Sequence, residues 1–240
     1  MTHRHWGSAA APADLLLQLM FPALAVANHF LKRSAQHGVV LTGAKLQALL
    51  YVAHGLRLGL VGEPLLDEPV FAGPAGISIA TLNVAGAVGE RPMERLLTKV
   101  IRRSNGLLDE GIPVLAPDES AQNTLNQVWE RFHHTQMEAL NRLICKAGAP
   151  WHSTWHSTER LQGQFAITLA NTWDPIPEDE RPVAIPNSQI RDWFRAAVIK
   201  DLKQRANEEG LEQTTRISRV TPGALRRPDR DWDASVTLTA

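Results

Sequence analysis

Between Thr42 and Pro64 the chain places Leu46, Leu49, Leu50, Ala53 and Leu56 at the three- and four-residue spacing of one helix face. A strand would scatter these residues over both of its faces, so the pattern predicts a long helix with an apolar stripe. Its ends are marked. Thr42 supplies a side-chain oxygen at the N-cap, the helix runs to about Leu60, and Gly62-Glu63-Pro64 stops it. Such a stripe must be covered, and the rest of the chain offers further helices to cover it.

Pro22 would break a helix interior but fits the first turn of a new one, which runs to about Ser34. Leu24, Ala27, Asn28 and Leu31 share one sector of it, so Asn28 rides on an apolar face, and Gly38 is a natural left-handed cap. Ala13 or Asp14 opens a shorter helix before it. Downstream, Met93–Arg103 fits a helix, and Asp118–Ala147 fits a long one through Leu125, Val128, Trp129, Phe132, Met137, Leu140, Leu143 and Ile144. Pro150 introduces a shorter helix over Trp151–Gly163. Pro186-Asn187-Ser188 caps a last one, Gln189 to about Glu209, which packs through Ile190, Trp193, Phe194, Ala197, Val198 and Leu202. Gly73-Pro74-Ala75-Gly76 reads as a turn or loop, Ile77–Val88 as a short helix or a strand, and the proline- and acid-rich Thr172–Val183 as an exposed linker. The expected fold is therefore mainly α, a single compact helical domain of about six or seven helices with minor short strands. It covers residues 13–209, between a mobile leader (1–12) and a C-terminal tail (210–240) in which Val236-Thr237-Leu238 can form a strand.

Charge narrows the function. Lys+Arg and Asp+Glu stand at 25 each over 240 residues, without the basic excess that a nucleic-acid-coating protein shows. The small basic spot Arg226, Arg227 and Arg230 is cancelled by Asp229, Asp231 and Asp233. The single cysteine, Cys145, excludes an intrachain disulfide or a Cys-based zinc site and fits a small core residue. The apolar run from Leu15 to Ala27 resembles a signal-peptide core, but Asp14, Gln18 and Pro22 interrupt it, and it is too short and polar to span a bilayer. A cytoplasmic location without membrane association is expected.

On the Thr42–Leu60 helix, Gln47, Tyr51, His54 and Leu58 fall within about 60° of one another, beside the leucine stripe; Lys45 lies elsewhere, near the helix start. Two readings are open. Tyr and His are side chains that anchor protein interfaces, so the strip can be a recognition surface. Alternatively the strip packs inward, His54 and Gln47 satisfy buried backbone groups, and Asn28 joins their network. Trp151-His152-x-x-Trp155-His156 sets two histidines one helical turn apart, as a two-His metal clip requires, but no Glu completes a zincin arrangement. Two indoles at this spacing more often cover a core edge, with Trp155 an alternative interface anchor. Asp174, Glu178, Asp179 and Glu180 sit among prolines, as a solvated loop does. A phosphate-binding Gly loop and a Gly-x-Ser-x-Gly elbow are both absent from the sequence.

The segment from Ala27 to Leu65 reads Ala27-Asn28-x-Phe30-Leu31, then Leu41-Thr42-x-x-Lys45-Leu46-Gln47-x-Leu49-x-Tyr51-x-Ala53-His54-Gly55-x-x-Leu58, then Gly62-Glu63-Pro64-Leu65. This resembles the Panacea domain of SocA-like antitoxins and phage-associated proteins. Pro150-Trp151 and the Ile185–Phe194 segment are similar to later parts of that family's pattern, so the likeness covers about residues 22–200. Where the family carries Ala-Trp-x-Tyr-Gly-Pro, this chain has Ala72-Gly73-Pro74-Ala75-Gly76-Ile77, and the family's Thr-His pair is Ile144-Cys145 here. The resemblance implies an antitoxin that binds a toxin stoichiometrically, with no catalysis and no cofactor, and Asn28, Lys45, Gln47, Tyr51, His54, Trp151 and Trp155 are its candidate partner-binding residues. An adaptor or effector chaperone on the same scaffold is the alternative, and a metal hydrolase using His152 and His156 is a third reading.

Overall fold

A computed structural model describes residues 20–102, 108–157 and 181–208. Helix α1 (Ala23–His37) starts directly after Pro22 and ends at Gly38, whose φ of 64° places its N–H on Ser34 O. Helix α2 (Gly43–Val61) has the cap its sequence promises. Thr42 Oγ1 accepts from Lys45 N at 3.2 Å, and Gly62 closes the other end at φ 82°. Both boundaries follow from side-chain capping at one end and glycine's freedom at positive φ at the other.

The stripe understates α2. Buried residues run around its whole circumference, as expected of a helix enclosed by others. Helix α1, helix α4 (Glu119–Phe132), helix α5 (Met137–Ile144) and helix α7 (Asn187–Glu208) all pack on it, and the contact with α7 is the most extensive. Gly55 and Gly59 make that crossing close. A Cβ on Gly55 would lie 2.1 Å from Phe194 Cε2, and one on Gly59 would lie 2.9 Å from the backbone N of Arg195. The mainly α, single-domain fold has seven helices among the described residues, counting α3 (Ala80–Val84) and α6 (Pro150–Trp155).

The turn at Pro74-Ala75 joins β1 (Phe71–Gly73) to β2 (Gly76–Ser78), and β5 (Val183–Ala184) adds to the other edge of β1, antiparallel, with Phe71 opposite Ala184. Ile77–Val88 is thus partly strand and partly helix. A separate antiparallel pair joins β3 (Lys99–Arg102) to β4 (Leu108–Gly111).

Three expected helices are corrected. Met93–Arg103 is irregular and then strand, because its backbone is claimed elsewhere. Met93 N donates to Leu41 O at 2.8 Å, and the Asn28 amide takes both the N–H and the carbonyl of Leu97, at 2.8 and 2.9 Å. Asp118–Ala147 is two helices, α4 and α5. Lys45 Nζ donates to His133 O at 2.6 Å at the C-cap of α4, and Gln136 starts α5 afresh. Helix α6 ends at Trp155 with His156 as its C-cap and Ser157 irregular, so the expected Trp151–Gly163 helix is corrected to a shorter one; residues 158–163, the helix before Met20, most of the Thr172–Val183 linker and the tail strand lie outside the described residues. Among the described residues no helix is long and apolar enough to cross a membrane.

Candidate functional site

The strip on α2 faces inward. Gln47, Tyr51, His54 and Leu58 are all buried. Gln47 Oε1 accepts from Ile79 N at 2.9 Å, and its Nε2 donates to Ala87 O at 2.7 Å and Asn83 Oδ1 at 2.8 Å, so one amide side chain pins the α3 segment to α2. His54 does the same for two other pieces of chain. Its Nδ1 accepts from Leu66 N at 3.2 Å, which leaves Nε2–H to donate to Asn187 Oδ1 at 3.0 Å, at the start of α7. Burial lowers the His54 pKa to about 4, against the weaker upward pull of the Asn187 hydrogen bond, so the ring is a neutral structural tie near pH 7. Tyr51 packs edge-on to Phe194 with ring centres 5.7 Å apart. Burial, with a smaller contribution from Cys145, raises its phenol far above the ordinary range, and its hydroxyl has no partner among the described residues. Cys145 is half-buried, and its thiol is pushed up to about 11 by burial, away from the thiolate a nucleophile needs.

The other candidates sit at separate places. Asn28 does not join the Gln47–His54 network. It holds the backbone of Leu97 and, through Nδ2 at 3.1 Å, Pro113 O. Lys45 is half-buried with its ammonium on His133 O, and burial lowers its pKa. Its charge lies at the C-terminal, carbonyl-rich end of α4, where a cation is favoured. Trp151 is half-buried, donates from Nε1 to Gly73 O at 3.1 Å, and stacks on the buried Trp155 with ring centres 6.1 Å apart. The indole pair thus fastens α6 to the β1–β2 turn. The strip and Asn28 consequently present no surface to a partner in this conformation, and of the seven candidates only Lys45 and Trp151 are partly exposed.

His152 and His156 approach each other, ring centres 4.5 Å apart, at the outer end of α6. Among the described residues no third His, Cys, Asp or Glu joins them.

Sequence reasoning missed Arg57. It is buried, with 1% of its surface exposed, and lies 3.4 Å from each of Glu63 Oε2, Asp118 Oδ2 and Ser120 Oγ. Asp118 is also the N-cap of α4, where its Oδ1 accepts from Ala121 N at 2.9 Å. Arg57 thereby ties the end of α2 to the start of α4. The available signal was a lone cation among leucines on an enclosed helix, which requires a buried counter-charge.

An open groove of about 800 Å³ runs beside the C-terminal half of α1. Leu31, Ala35, Val39, Val40, Met93 and Leu96 supply apolar lining, and Lys32, Glu94 and Arg95 are charged residues along it. Val40 is 68% exposed there.

No family model, curated protein or solved structure matches the chain.

Proposed function

We propose that the chain is an antitoxin-like protein that holds a partner toxin stoichiometrically in the cytoplasm and blocks it without catalysis. The observation that carries this reading is how the polar residues of the Ala27–Leu65 motif are spent. Asn28, Gln47 and His54 are consumed by hydrogen bonds to the protein's own interior, while an apolar groove with an exposed valine stays open. A catalytic site needs polar groups aimed at a substrate, whereas a binding scaffold needs a stiff interior and an accessible apolar face. The resemblance of the same motif to Panacea antitoxins supports the reading.

The test is genetic and biochemical together. Genes of this family typically lie beside the toxin they neutralise, so the adjacent gene is induced with and without this chain. Restored growth and a stoichiometric complex on co-purification are expected. Absence of both refutes the proposal.

A further inference from the structure

Two imidazoles that belong neither to the α2 interior nor to the groove lining meet at the outer end of α6. His156 is the C-cap of this helix, and its N–H donates to His152 O at 3.0 Å, so the helical hydrogen bond itself sets the two residues one turn apart. The helix beneath them is fastened at several points. Trp151 Nε1 donates to Gly73 O at 3.1 Å, Thr154 Oγ1 donates to Gln189 Oε1 at 3.2 Å, and Trp155 is buried. Trp151 also packs edge-on against His156, with ring centres 6.1 Å apart, and so limits where that ring can turn. His152 is half-buried and His156 is exposed, so both rings can be reached from solvent.

The ring geometry fits a shared ion. The centres are 4.5 Å apart and the planes are tilted by 50°. A metal ion bonded to an imidazole nitrogen lies in the plane of its ring; two tilted planes can share such a point, whereas parallel stacked rings cannot. With a metal–nitrogen bond of about 2.1 Å, the ion stands roughly 3.2 Å from each ring centre. Nitrogens at a right angle about the ion then put the centres roughly 4.5 Å apart, and a tetrahedral angle requires roughly 5.2 Å. The observed spacing is that of the right-angled case, which octahedral and square-planar ions adopt.

We infer that His152 and His156 form a chelate for a divalent ion of the nickel and copper type, bound through one nitrogen of each ring. Among the described residues no third His, Cys, Asp or Glu joins the pair, so water fills the other positions and the ion exchanges with solvent. Ser153 stands where a zincin helix carries its glutamate, so the chelate binds a metal without a base on its own helix. The inference is independent of the antitoxin reading, which needs neither histidine.

The probe is nickel(II) chloride, titrated calorimetrically into the full, metal-free chain in parallel with His152→Gln and His156→Gln. The natural chain is expected to bind Ni²⁺ at least tenfold more tightly than either variant, because each variant keeps one nitrogen and loses the chelate. Ni²⁺ is also expected to raise the urea midpoint of the natural chain and to leave those of the variants unchanged, since an unfolded chain does not hold the two rings together. His156 is exposed, so its variant should match the natural midpoint in metal-free buffer, which separates lost chelation from lost folding. Zn²⁺, which prefers a tetrahedral set, is expected to bind more weakly than Ni²⁺, and Mg²⁺, which takes oxygen ligands, not at all. Equal Ni²⁺ affinity in the natural chain and His156→Gln overturns the inference, because it puts the ion on the chain's other histidines. So does a natural-chain midpoint that Ni²⁺ leaves unmoved, or Zn²⁺ binding tighter than Ni²⁺.

Discussion

Replacing Gly55 by alanine tests the closest contact in the fold. The added Cβ would sit 2.1, 2.3 and 2.5 Å from Cε2, Cδ2 and Cζ of Phe194. Carbon atoms prefer about 3.5–4.0 Å, so the ring or the whole of α7 must retreat by roughly 1.5 Å. The ring has little room. Phe194 is 1% exposed and lies edge-on to Tyr51, and Gly59, one turn further along α2, lies against the backbone of the same Phe194–Arg195 turn. Overpacking of this kind costs about 1–3 kcal/mol, and a clash this severe against an immobile ring belongs at the upper end. Against it stands the gain of about 1 kcal/mol for Gly→Ala inside a helix. The net expectation is a loss of about 2 kcal/mol. With a urea m-value of about 2 kcal/mol/M, the midpoint falls by roughly 1 M while m is unchanged. Phe194→Leu removes Cε2 and Cζ, two of the three clashing atoms, so the double variant should lose at least about 1 kcal/mol less than the sum of the singles. A Gly55→Ala midpoint equal to or above that of the natural chain would show that helix propensity wins, and that α7 does not cross α2 at this glycine.

The remaining predictions concern the ties around α2. His54 has a folded pKa of about 4 against an ordinary 6.5, so between these values the unfolded chain binds the extra proton and stability rises with pH. That contribution is full above pH 6.5, is lost as pH falls toward 4, and amounts to about 3 kcal/mol; denaturation midpoints between pH 4 and 7 should fall with acid in the natural chain and much less in His54→Asn, and equal slopes would refute the assignment. Arg57→Leu should destabilise by about 2 kcal/mol, less than for a fully enclosed pair because Glu63 and Asp118 keep 25% and 20% exposure and can rehydrate; an unchanged melting temperature would remove Arg57 from the α2–α4 joint. Asn28→Leu leaves the Leu97 N–H and two carbonyls without their partner, at a cost of about 2–4 kcal/mol, with faster amide hydrogen exchange at Leu97 than at Leu49 as its local signature. Trp151→Phe keeps the stacking area but loses the bond to Gly73 O, so about 1 kcal/mol and faster opening of the β1–β2 turn are expected; an unchanged exchange pattern there would refute the tie.

The two helices with the clearest punctuation were legible. Thr42, Gly62, Pro22 and Gly38 act through local backbone chemistry, which a linear reading captures. The errors came where a distant side chain decides. Nothing local in Leu96-Leu97-Thr98 announces that Asn28, sixty-nine residues earlier, will take both of Leu97's backbone groups. Nothing in Phe132-His133-His134 shows Lys45 arriving at the His133 carbonyl. Leucine spacing marks only one face of α2, whereas Gly55 and Gly59 make another face a seat for α7. The groove was missed for a related reason. Its residues come from α1, the following connector and the 92–96 segment, and only the tertiary fold gathers them.

This division has a consequence for the motif that suggested a family. Ala27, Phe30, Leu31, Leu46, Gln47, Leu49, Tyr51, Ala53, His54 and Leu58 are all interior residues, so the pattern specifies how α1, α2 and the Gly62–Leu66 turn fit together. Residues that hold an interior together are constrained by packing and by the cost of an unpaired polar group, whichever partner the surface meets. The groove is built mainly from positions outside that pattern. Leu31 contributes to both, but Val39, Val40 and Met93–Leu96 belong to the groove alone. Val40 is a surface residue with little packing to lose, so a change there alters the exposed lining of the groove while α1 and α2 keep their caps and contacts. Interior and groove are therefore separable in this chain: the motif can stay fixed while the 39–40 and 92–96 segments change.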